Sequence, residues 1–148
     1  MKIDTILVPT DFSADAQQAL STAKELAKRF DAKLVLLHAY HVVVPVAAPM
    51  AGAYTLPDGF FEALRAQAVA QVESAARQVE SEGIEATGIA VSEPASVSIA
   101  AHAERLPADL IVMGTRGLTG LKHVALGSVA ERVVRTAPCP VLTVKADS

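Results

Sequence analysis

The sequence predicts an α/β protein: one domain, spanning residues 1–148, on a five-stranded parallel sheet, doubly wound in the order 3-2-1-4-5 with helices on both faces. Three observations predict it. Short apolar runs of strand length alternate with longer segments whose apolar residues recur at helical spacing. The hydrophobic content of 51% is a surplus of Ala, Val and Leu without any Trp, which suits helices packed on a buried sheet. Five strands in 148 residues fit one core and the smaller doubly wound sheet.

The elements follow in order. Ile3 to Val8 is a short buried strand. After Pro9-Thr10-Asp11-Phe12, Ser13 is the N-cap of a helix that sets Ala16, Ala19, Leu20, Ala23, Leu26, Ala27 and Phe30 on one face. Leu34 to Ala39 is the second strand. The connection from Tyr40 to Pro57 runs about eighteen residues where about 2–6 is usual, and it is rich in Val, Ala and Pro. It reads either as a lid or partner contact, or as a surface loop covering the adjacent helix. A helix from about Asp58 to Glu82 carries Phe61, Leu64, Ala68, Val72, Ala75 and Val79 on one face and stops at Gly83. Ala86 to Val91 is the third strand, and Pro94 opens a shorter helix through Arg105 with His102 on its surface. Leu110 to Met113 is the fourth strand. Leu126, Val129, Ala130, Val133, Val134 and Ala137 mark the last helix, and Val141 to Val144 the last strand.

In that order the sheet reverses between its first and fourth strands, and ligands of such sheets bind beyond the carboxyl ends at the reversal. Asp11 follows the first strand and Gly114 the fourth. Gly114, Gly117 and Gly127-Ser128 make the pattern G-x-x-G-x(9)-G-S at the entry to the last helix. Glycines there leave backbone N–H groups uncovered, and with the positive end of the helix dipole they suit a phosphate. Asp11 is read as orienting a nucleoside or holding Mg2+ through water, or else as a cap beside Ser13. Ser128 is read as a phosphate contact, or else as the head of a capping box with Glu131. Arg116 offers a planar fork that matches an oxyanion, with Lys122 and His123 as weaker cations nearby.

Composition narrows the function further. A formal net charge of −3 and 4% aromatic residues give neither the electrostatic footprint nor the stacking platforms of a nucleic-acid binder. His41 to Tyr54, the most apolar long stretch, is too short for a bilayer and is broken by Pro45 and Pro49. The start of the chain lacks the apolar core of a signal peptide, and Cys139 has no intrachain partner, so a cytoplasmic protein is expected. Cys139, between Pro138 and Pro140 at the start of an apolar strand, reads as an inert thiol. His38 and His41 lack the spacing and third ligand of a zinc site. No G-x-S-x-G elbow and no complete P-loop is present. Phosphoryl transfer needs a positioned nucleophile as well as a phosphate grip, so slow hydrolysis of a bound nucleotide is the most that is expected.

The whole chain resembles the universal stress protein family. The resemblance rests on Ile6-Leu7-Val8-Pro9-Thr10-Asp11-Phe12-Ser13, Leu36-Leu37-His38-Ala39, Asp109 through Gly117, Gly127 through Val133, and Pro138-Cys139-Pro140-Val141-Leu142. It implies ATP binding, because the complete G-x-x-G-x(9)-G-S pattern marks the family members that bind ATP. It further implies that Pro9, Thr10, Asp11 and Ala39 border the adenosine and that Met113 and Gly114 lie against the ribose. Arg116, Gly117, Gly127, Ser128 and Val129 would surround the triphosphate, with Mg2+ as its counter-ion. The sequence departs from the family at Glu93, where glycine is common, which puts the turn before the third helix in question. The resemblance also implies a homodimer through the edge strand Val141 to Val144. The expected role is an ATP-binding stress or signalling module with unidentified protein partners. The alternatives are a nucleotide-independent interaction protein of the same fold and a weak ATPase.

Overall fold

The computed structural model describes residues 1–41, 56–118, 123 and 125–147. Its elements are β1 (Thr5–Pro9), α1 (Ala14–Phe30), β2 (Lys33–Ala39), α2 (Phe60–Glu80), β3 (Ala86–Val91), α3 (Ala95–Arg105), β4 (Leu110–Gly114), α4 (Ser128–Thr136) and β5 (Val141–Val144). All strand pairs are parallel and the order is β3-β2-β1-β4-β5, as expected. Residues 42–55 lie outside the described residues, so the two readings of the Tyr40–Pro57 connection stand as they were.

Side chains that alternate along each strand go to opposite faces, and two cores result. Ile6, Val8, Leu34, Leu36 and Val112 pack under α1 and α2, against Ala19, Ala23, Val72 and Val79. Leu7, Val35, Leu37, Ile111 and Met113 pack on the other face, against Ile99 and Ala103 of α3 and Ala130 and Val133 of α4. Alanines on the buried stripe of α1 let that helix sit close to the sheet. β1 lies between β2 and β4, with Ile6 opposite both Leu34 and Leu110. The topological reversal therefore falls at β1 and β4.

Some faces differ from expectation. Phe30 is exposed because it ends α1, immediately before Asp31 turns the chain in a left-handed conformation (φ 55°). Phe61 is exposed in the first turn of α2, two turns ahead of Ala68, and meets Phe60 edge-on. His102 is buried, not on the surface. Its Nδ1 donates to Ser98 O at 2.8 Å and its Nε2 lies 3.3 Å from Arg105 Nη2, so both ring nitrogens have partners that make burial tolerable. The turn at Glu93 needs no glycine, since the described non-glycine residues with positive φ are Phe12 and Asp31 alone.

Candidate functional site

At the carboxyl ends of β1 and β4 the chain leaves the sheet in opposite directions, opening a cleft of about 480 Å³. All eleven residues singled out in the sequence line it: Pro9, Thr10 and Asp11 after β1, Ala39 at the end of β2, Met113, Gly114, Arg116 and Gly117 at and after β4, and Gly127, Ser128 and Val129 at the start of α4. The sequence reading missed Leu37, Ala95 and Ile99, which give the cleft apolar lining, and Ala16, Thr115, Leu118 and Ala130. Leu37 was legible from strand alternation, since it shares its face with Val35. Ala95 and Ile99 arrive from α3, whose placement over β2 no local pattern announces.

The turn after β1 is fixed by its own side chains. Thr10 Oγ1 accepts from Phe12 N at 3.0 Å, and Asp11 Oδ1 accepts from Ser13 N at 3.0 Å. Phe12 is held at φ 62°, a left-handed conformation that a bulky residue rarely adopts. Its ring meets His38 edge-on at 4.8 Å, and His38 Nδ1 donates to Thr10 O at 3.0 Å. Ser13 then caps α1, as expected, by accepting from Ala16 N.

Two carboxylates hold the glycine-rich turn. Asp11 Oδ2 accepts from Leu118 N at 3.0 Å. Asp15, buried in the first turn of α1, accepts from Thr115 Oγ1, Arg116 N, Arg116 Nε and Arg116 Nη2. Burial alone would raise the Asp15 pKa, but the bonds from Arg116, Ala146 N and Thr115, with the guanidinium charge, outweigh it and hold the carboxyl below its ordinary value.

None of the three pattern glycines uses positive φ; close approach to the α1 backbone requires Gly114, while Gly117 and Gly127 sit in tighter quarters than a side chain ordinarily occupies. A Cβ on Gly114 would stand 2.8 Å from Asp15 Cβ, one on Gly117 2.7 Å from Asp11 Oδ2, and one on Gly127 3.1 Å from Thr115 O.

This packing corrects two expectations. The N–H groups of the glycine-rich turn are not left for an anion at Thr115, Arg116, Leu118 and Gly127, which donate to Val144 O, Asp15, Asp11 and Thr115 O. Nor does Ser128 head a capping box. Gly127 is the N-cap of α4, Ser128 is its first helical residue, no described side chain caps the helix, and Glu131 pairs with Arg135 instead. What stays uncommitted here among the described residues is the start of α4, where Ser128, Val129 and Ala130 have N–H groups without intrahelical partners at the positive end of the dipole. His123 is exposed and does not line the cleft, and Lys122 lies outside the described residues. Cys139 is half-buried, and burial followed by the charge of Asp109 raises its pKa, which agrees with an unreactive thiol. No described helix is long and apolar enough to cross a membrane.

A model of the universal stress protein family matches residues 2–145. Universal stress protein MJ0531 of Methanocaldococcus jannaschii is 38% identical over 141 residues, covering 95% of this chain and 81% of that protein. The solved structure of MJ0577, a universal stress protein of the same organism, matches with a TM-score of 0.82 at 27% identity, covering 100% of this chain and 99% of that one. A universal stress protein solved in complex with cAMP matches at 0.70 and 25% identity, with 98% of each chain covered.

Proposed function

The chain belongs to the universal stress protein family, and from that premise we propose that its cleft binds an adenine nucleotide, ATP with Mg2+, as the input of a stress or signalling module. The observation that carries this reading is the build of the cleft: a volume of about 480 Å³, apolar at Leu37, Ala39 and Ile99, with the N-terminus of α4, which no described side chain caps, also in its lining. The cAMP held by a related structure supports an adenine nucleotide as the ligand class. The proposed contact of Asp11 with Mg2+ is through water, alongside the one backbone N–H that each of its oxygens already accepts. No residue lining the cleft among those described stands out as a catalytic base, and the proposed role is binding, with hydrolysis at most slow. β5 is an edge strand with Leu142 exposed, which supports a homodimer through Val141 to Val144 and a surface for protein partners.

Calorimetric titration of nucleotide-stripped protein with Mg-ATP tests the reading. One site per chain at about 10 μM or tighter, near −7 kcal/mol, is expected, and Gly117→Val should abolish it by driving a side chain into Asp11 and the cleft. Absence of heat at several temperatures, with no change in melting temperature, would favour a nucleotide-independent interaction protein. That second reading has one observation in its favour: Arg116 and four N–H groups of the glycine-rich segment already have partners inside the protein.

A further inference from the structure

Asp15 lies outside the cleft lining and outside the glycine pattern, yet it gathers more of the site than any other side chain described. Five donors converge on its carboxylate. Oδ2 takes Thr115 Oγ1 at 2.8 Å, Arg116 N at 3.1 Å and Arg116 Nε at 3.2 Å. Oδ1 takes Ala146 N at 3.0 Å and Arg116 Nη2 at 3.4 Å. Asp15 is 4% exposed, so these bonds are made away from competing water. Gly114 makes the approach possible, because a Cβ there would collide with Asp15 Cβ and the α1 backbone.

Arg116 lines the cleft, and an unpaired arginine would have to give up its rotamer freedom on meeting an anion. Here Nε and one Nη2 hydrogen are already committed to Asp15, which holds the guanidinium plane, and its remaining hydrogens have no partner among the described residues. We infer that Asp15 is the positioning residue for the phosphate side of the cleft, fixing the Arg116 guanidinium and the turn at Thr115 so that phosphorylated ligands meet a pre-ordered surface. The inference rests on the nucleotide-binding reading. It differs from a purely structural role in one respect: loss of Asp15 should weaken ligands in proportion to their phosphates, not nucleosides in general.

The experiment compares ATP with adenosine, the latter read by displacement of ATP, on wild-type protein and Asp15→Asn. The amide keeps the shape but turns an NH2 group toward donors. ATP affinity should fall about tenfold or more while adenosine stays within about twofold. Thr115→Val, which removes one of the five donors and no charge, should give a smaller loss of the same ATP-selective kind, and it decides the matter if Asp15→Asn does not fold. Unchanged ATP affinity in the folded variants, or parallel losses for ATP and adenosine, would overturn the role of Asp15 alone. Wild-type protein that binds neither compound would overturn the nucleotide reading, and the inference with it.

Discussion

Two aspartates sit at opposite ends of the β1–β4 pair and perform related chemistry with different results. Asp109, just ahead of β4, accepts from Asp4 N at 2.9 Å and Thr5 N at 3.0 Å, tying the amino end of β4 to the amino end of β1. Asp15, beside the carboxyl end of β4, also accepts backbone N–H groups but adds a guanidinium and a hydroxyl. Asp109 is half-exposed and Asp15 is buried. Both carboxyls are held below their ordinary pKa, Asp109 first by the two backbone bonds and Asp15 against the opposing effect of burial. The difference teaches that position decides the consequence. At the amino ends a carboxylate closes the sheet; at the carboxyl ends, where the order reverses, the same group shapes a cleft.

Three measurements bear on this contrast. The largest effect is expected from Asp15→Ala, which leaves Arg116 without its buried partner and should cost about 3–5 kcal/mol of stability in denaturant titration; a loss below about 1 kcal/mol would put Asp15 on a par with a surface pair. Acid should remove part of the same contribution. A carboxyl whose folded pKa lies below the unfolded value, about 3.9 for Asp, contributes stability that is present above that value and lost as pH falls through the folded pKa. Wild-type and Asp15→Ala curves of stability against pH should therefore converge below about pH 4, and parallel curves would contradict the assignment. The smallest effect is expected from Asp109→Ala, about 1 kcal/mol from two partly exposed backbone bonds, with ATP affinity unchanged; a fall in affinity would erase the distinction between the two ends.

Much of the fold was legible because its signals are local. The five strands are apolar runs, and the spacing of Ala16, Ala19, Ala23 and Ala27 sets one face of α1. The cleft was legible in part for the same reason, since Asp11 and Gly114 follow strand ends at the reversal; Pro9, Thr10, Ala39, Met113 and Val129 came from the family resemblance, and α3 and the start of α4 complete the lining. What remained hidden depends on groups distant in sequence. Asp15 and Arg116 are 101 positions apart, and nothing in Ala14-Asp15-Ala16 announces a buried ion pair. Ser128 and Glu131 have the spacing of a capping box, but Gly127 N–H reaches back to Thr115 O and fixes the helix start one residue earlier. His102 looked like a surface residue until α3 was seated against β2 and α4.

The placement of β1 has a consequence for how the chain acquires its shape. One side of β1 is satisfied early by β2, but the other waits for β4, and the contact that closes it spans 104 positions. During synthesis the half containing β1, β2 and β3 thus emerges with the edge of Ile6 and Leu7 unpaired, a template for association with any other extended chain. Closing so distant a contact is slow relative to the local steps around it. The strand at the centre of the finished sheet therefore keeps one side unprotected until residue 110 appears, after which the outer side of β4 waits in turn for β5.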